Sequence, residues 1–282
     1  MSPNLNSASL PEYDHPPVVE VALSIQFAPL VRLRNIHAGL IWNELKSEFP
    51  QYQEHPALPP VFEVFGPNPK MTGLGPQIEF LTSAPVNRYW FLKENGAELI
   101  QIQQDRILYN WRKQADQDVY PRYEAVRANF LATLEKLLAV FAVNDLGTVQ
   151  PNQCEITYIN YITLPDGADA RATPDRILAP FSGNTTDGFL PGLEDLQMQL
   201  RFPIKQDEKN VGRLYVQVSP ALRTVDQKAG VQITLTARGK PRAETIDAAF
   251  ELLDLGREYI VRGFTSITTP EMHKHWRKQH GN

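Results

Sequence analysis

The sequence predicts an α+β protein in which long amphipathic helices cover one face of antiparallel sheet. Three observations predict it. Short stretches of apolar–polar alternation follow one another at close intervals across tight-turn signals, the pattern of meandering antiparallel strands. Two long segments, 120–143 and 243–264, carry apolar residues three and four apart and each closes one of these runs. The order strand, helix, meander, long helix occurs twice, so helices are set apart from strands instead of alternating with each of them. Strand–helix–meander–helix is the layout of helix-grip and TATA-binding-protein-like units, which here would lie side by side or share one curved sheet. No residue-level repeat accompanies the repeated layout.

The elements follow in order. Residues 1–12 are expected to form a disordered arm. Pro16-Pro17 stops any helix and sets an extended course. The strand 18–27 comes next, with Val19, Val21, Leu23, Ile25 and Phe27 on one side and Glu20, Ala22, Ser24 and Gln26 on the other. Ile36, Leu40, Trp42, Leu45 and Phe49 make an apolar stripe over a helix 35–49, and Pro50 lies just past its end. The Pro- and Gly-punctuated connection 50–75 is expected to hold one short strand at 61–65. Strand runs at 78–82, 88–93, 98–103 and 106–112 form the first meander, with Asn95-Gly96 as a hairpin turn. Tyr120-Pro121 places proline at the first position of the helix 120–143. The second half has a strand 155–163 and a short helix opened by Thr173-Pro174-Asp175. Strands 196–204, 213–219 and 231–237 and the helix 243–264 follow. The two units span 13–149 and 150–270. Residues 271–282, with Lys274, Arg277 and Lys278, are expected to be a solvated basic tail.

Composition narrows the function classes. A chain of 282 residues buries a core large enough to need no disulfide or metal. With 42% hydrophobic and 21% charged residues it has the make-up of a globular protein. A net charge of −4 argues against a nucleic-acid partner. Cys154 is the only cysteine, which rules out an internal disulfide and a thiolate cluster and fits a reducing compartment. No apolar run reaches the roughly 20 residues of a membrane span, and the N-terminal residues lack the apolar core of a signal peptide. The expectation is a cytoplasmic protein with no membrane partner.

Three sets of strings carry a resemblance: Pro16-Pro17-Val18-Val19-Glu20-Val21; Asn110-Trp111-Arg112 with Tyr120-Pro121-Arg122-Tyr123; and Phe264-Thr265-Ser266-Ile267-Thr268-Thr269-Pro270-Glu271. They are similar to strings of a sporadically distributed bacterial family without an established activity, across most of the chain. The resemblance implies a protein of conserved length, patchily inherited in the manner of accessory and defence-associated genes. It carries over no catalytic residues.

Chemistry-bearing residues are few. Glu20 begins the first strand and Arg112 ends the last strand of the first meander; they face a common cleft or form a structural ion pair. With Arg88, Trp111 and Tyr120 they make up the candidate binding set. Arginines and aromatics on the meander could stack bases, but Tyr89 and Trp90 must point to opposite faces, so part of that set is core. His273 and His275 are two apart, which does not suit metal binding on a helix. No serine has a nucleophile elbow, Cys154 has no cationic neighbour, and no phosphate-binding glycine loop is present. No cofactor is expected. These readings lead to a non-enzymatic binding or regulatory protein that recognises a protein partner, plausible for a defence or toxin-control locus. The alternative is a small-molecule-binding or hydrolytic protein of helix-grip type, with an apolar ligand between sheet and long helix.

Overall fold

The computed structural model describes residues 9–65, 87–182, 188–223 and 226–279. In the first half, β1 (Val18–Phe27) leads through a 3-10 turn (Asn35–His37) into α1 (Ala38–Leu45). Then come β2 (Gln51–His55), β3 (Arg88–Leu92), β4 (Glu98–Gln103), β5 (Arg106–Arg112) and α2 (Tyr123–Val143). The second half has β6 (Pro151–Ile162), a 3-10 turn (Pro174–Arg176), β7 (Met198–Gln206), β8 (Lys209–Leu222), β9 (Ala229–Gly239) and α3 (Ile246–Ile267). A short α4 (Pro270–His275) follows.

The nine strands among the described residues hydrogen-bond into one antiparallel sheet, in the order β2-β3-β4-β5-β1-β6-β9-β8-β7. In each half the last strand of the meander returns to pair with the first, β5 on β1 and β9 on β6, and the two first strands pair with each other. The halves therefore share one sheet, which removes the side-by-side arrangement.

Alternation along the central strands builds the core. Val21, Leu23 and Ile25 lie level with Trp111, Tyr109 and Ile107 on one side and with Tyr158, Ile156 and Cys154 on the other, and all are buried. The long helices cover this face. Phe130 of α2 packs 6.0 Å from the Tyr109 ring and 5.5 Å from Phe250 of α3. Gly256 lets α3 approach the sheet: a Cβ there would stand 2.7 Å from Ile156 Cγ2 and 3.1 Å from the Ala237 Cβ. Thr245 caps α3 by accepting from the Ala248 amide.

Several expectations change. Residues 61–65 are not a strand but part of an extended strap described below. The missed strand is β2, whose Gln-Tyr-Gln-Glu-His sequence is almost wholly exposed, as suits a sheet edge. The expected strand 78–82 lies outside the described residues. The helix expected over 35–49 is a 3-10 turn plus α1, ending at Leu45. β7 lies two residues further on than expected and β8 runs longer, because Asp207 and Glu208 take φ of 47° and 62°, both left-handed, and make a tight hairpin turn without glycine. The solvated tail is corrected too. Met272 and Trp276 are buried, Trp276 packs 5.1 Å from Phe264, and Lys278 bridges to Tyr13. The Glu12 carbonyl accepts from the Gln279 amide, so the segments around Tyr13 and Trp276 are tied together against the helix layer.

Candidate functional site

The opposite face of the sheet carries no helix among the described residues, and its chemistry is polar. Register places Glu20, Ser24 and Gln26 of β1 beside Arg112, Leu108 and Arg106 of β5 and, on the other side, Ile159, Glu155 and Gln153 of β6. A directed hydrogen-bond chain crosses four strands. Arg88 Nη1 donates to Gln101 Oε1 (2.9 Å), Gln101 Nε2 to Asn110 Oδ1 (2.8 Å), and Asn110 Nδ2 to Glu20 Oε1 (2.7 Å). Burial pushes the Glu20 carboxyl above its ordinary value; the Asn110 bond and the Arg112 charge oppose that rise.

Glu20 and Arg112 are directly opposed across β1 and β5, yet they form no ion pair. Arg112 instead stacks over Trp90 (5.5 Å) and reaches the Gly96 carbonyl (3.4 Å). Arg88 lies over the same indole (5.4 Å), and His55 packs on it at 4.1 Å. The other two members of the predicted set are elsewhere. Trp111 and Tyr120 stand on the helix-covered face, 5.3 Å apart, with the Tyr120 hydroxyl 2.9 Å from that of Tyr158. The five predicted residues thus divide between two faces and do not converge on one cleft.

The sequence reading missed the main feature of the polar face. After β2 the chain runs across it as an extended strap, 56–65, lying over six strands. The side chain of Gln103 (β4) pairs reciprocally with the Leu58 backbone, accepting from its N–H and donating to its C=O, both at 2.9 Å. Arg106 (β5) donates to the Pro59 carbonyl (3.0 Å). Gln26 (β1) accepts from the Val61 amide (2.9 Å), and Gln153 (β6) from the Glu63 amide (3.3 Å). Glu63 anchors the far end: its carboxylate meets Arg213 Nη1 and the Tyr215 hydroxyl of β8 at 2.6 Å each, with Arg238 of β9 at 3.6 Å. One signal in the sequence pointed here. Gln26, Gln101, Gln103 and Gln153 all occupy the polar phase of central strands, and amides in that phase are there to bond something.

Beyond the Glu63 anchor the described residues of the strap contact only Arg213 of β8. Thr157 and Thr236 share a hydroxyl bond of 2.9 Å there, and Gln199 and Gln217 are exposed. A depression of about 250 Å³ is lined by Gln199, Arg201, Tyr215, Gln217, Thr236 and Arg238. Arg201 stacks on the Tyr215 ring at 5.6 Å and has no carboxylate partner among the described residues. On the helix side a separate cavity of about 130 Å³ lies where the two halves meet, bounded by Tyr120, Tyr158 and Arg257. Glu20 and Arg112 are not at its mouth.

Among the described residues no group of His, Cys, Asp and Glu is placed to hold a metal ion, and no helix is long and apolar enough to cross a membrane. His273 packs against the Tyr13 ring and bonds Thr268 Oγ1 at 2.8 Å. Burial pushes the Cys154 thiol up to about 12, so it is neutral and inert near pH 7. No protein-family model and no curated protein matches the chain.

Proposed function

We propose that this protein is a non-enzymatic recognition module that binds an extended, acidic segment of a protein partner on the helix-free face of its sheet. The observation that carries this reading is the strap. Side-chain amides and guanidinium groups of that face bond the backbone of an extended segment, and two arginines and a tyrosine hold its one acidic residue. Among the described residues, the part of the face over β9, β8 and β7 past the Glu63 anchor offers the same chemistry to a second segment. Gln199, Gln217 and Thr236 supply backbone-bonding groups, and Arg201, without a carboxylate partner among the described residues, is poised for one. In this reading the paired units are of the TATA-binding-protein-like kind, which leave one sheet face free for a partner, and the helix-grip description applies to the other face. The resemblance to a patchily inherited bacterial family favours an accessory role, in a defence or toxin-control locus and in the cytoplasm.

The test is selection from a display library of unstructured twelve-residue peptides against the full chain. Enriched peptides should share an Asp or Glu, and their binding should fall roughly tenfold or more in Arg201→Ala and Gln217→Ala. Glu135→Ala, on the outer surface of α2, should leave it unchanged. No enrichment, or binding indifferent to Arg201 and Gln217, would overturn the proposal.

A further inference from the structure

The helix-side cavity carries an independent inference. It lies at the junction of the two halves, with Val18 of β1 and Tyr158 of β6 at its floor and Ile260 and Phe264 of α3 along one wall. Its volume, about 130 Å³, is close to that of cavities that take a benzene-sized body. Most of the lining is apolar, so its polar groups can be accounted for one by one.

Two donors are left over. The Tyr120 and Tyr158 hydroxyls face each other at 2.9 Å. Only one proton fits between two oxygens, and among the described residues the other proton makes no hydrogen bond. Burial raises both phenols, Tyr158 to about 12, so both keep their protons at neutral pH. Arg257 is the second. Its guanidinium lies 5.1 Å over the Tyr123 ring and pairs with Glu124 at 3.1 Å, yet its buried Nε–H has no partner. Buried donors without acceptors are rare in native proteins and call for an explanation.

The backbone adds a further observation. Arg122, at the rim, has φ 71° and ψ 158°, a region that is almost exclusive to glycine. This strained residue sits between Tyr120 and Tyr123, both in the lining, and its side chain donates to the Tyr13 carbonyl at 3.0 Å. Strain of this kind gathers at ligand sites.

We propose that this cavity binds a small monocarboxylate with an aromatic or branched apolar body about the size of benzoate. Its carboxylate lies against the Arg257 guanidinium and accepts from the free tyrosine hydroxyl, and its body packs on Val18, Ile260 and Phe264. Glu12 and Glu124 at the rim disfavour a dianion.

Benzoate titrated into the full chain and followed by NMR tests the proposal. Saturable shifts are expected, with nuclear Overhauser contacts from the benzoate ring to the Val18 and Ile260 methyl groups. Benzylamine at equal concentration should give none. Tyr120→Phe and Arg257→Gln should each weaken benzoate binding roughly tenfold or more. Contacts elsewhere on the surface, no saturation, or equal binding of benzylamine would overturn the proposal in the unaltered protein, whether or not the variants fold. Unchanged affinity in both folded variants would do so as well.

Discussion

The strap over the polar face should be held chiefly by Glu63, and Glu63→Gln tests this. The Glu63 side chain is only 2% exposed, while Arg213 and Arg238 beside it are each 21% exposed. Removing one partner from a fully buried ion pair costs about 3–5 kcal/mol. The partial exposure of the arginines lowers that figure. So do the Tyr215 bond, which glutamine retains, and the second carboxylate at Arg238, that of Glu155. An expected loss of about 2 kcal/mol remains. If the strap opens as a local unit, about 2 kcal/mol corresponds to roughly 30-fold faster amide hydrogen exchange. The reporting amides are those of Leu58 and Val61, which donate to Gln103 and Gln26. Arg242→Gln breaks the exposed Arg242–Glu251 pair and should leave them unchanged. Equal protection of Leu58 and Val61 in Glu63→Gln and the unaltered protein would refute the reasoning. Equal loss in the Arg242 variant would refute it too.

Two further outcomes follow from the helix side. Gly256→Ala gains helix propensity but drives a methyl against Ile156 and Ala237, so the urea midpoint should fall by an amount equivalent to about 1–3 kcal/mol. Cys154 gives a pH dependence. Its thiol is pushed from an ordinary 9.0 up to about 12 in the folded protein, so between those values the unfolded chain loses a proton that the folded chain keeps. The unfolded state then binds fewer protons, and stability falls as pH rises, by up to about 1.4 kcal/mol per pH unit from this group. Urea unfolding at pH 8, 9 and 10 should show a shallower decline in Cys154→Ala; an identical decline would mean that the thiol is exposed.

What the sequence made legible was local. The strands 98–103 and 106–112 coincide with β4 and β5 because the alternation of Ile100 and Ile102 with Gln101 and Gln103, and of Ile107 and Tyr109 with Leu108 and Asn110, ends at turns on both sides. The long helices were legible from spacing alone. Non-local pairing was not. Whether β1 and β6 would meet depends on the edges of two separate units, and periodicity carries no information about that. Glu20 and Arg112 were legible as neighbours, since both are in the polar phase of strands that close a meander, but not their bonding, because Asn110 and Trp90 compete for them. Trp111 and Tyr120 were grouped with Glu20 although strand alternation already puts Trp111 on the other face. The strap was invisible because Pro56, Pro59 and Pro60 give an extended run no strand signature.

The polar face explains itself once its occupant is considered. A sheet face meant for a helix needs apolar side chains, as the other side of these strands has. Gln26, Gln101, Gln103 and Gln153 are buried nonetheless, and buried amides without partners would each cost on the order of 1–3 kcal/mol. They are tolerable because each bonds something, and three of the four bond the strap's backbone. An amide side chain both donates and accepts, which matches the alternating N–H and C=O of an extended chain and matches nothing on the outside of a helix, where those groups are engaged internally. Glutamine in the polar phase of central strands is therefore a sequence-readable sign that the face is complementary to extended backbone. On this chain the sign continues to Gln199, Gln217 and Gln232, which bond no described residue of the strap.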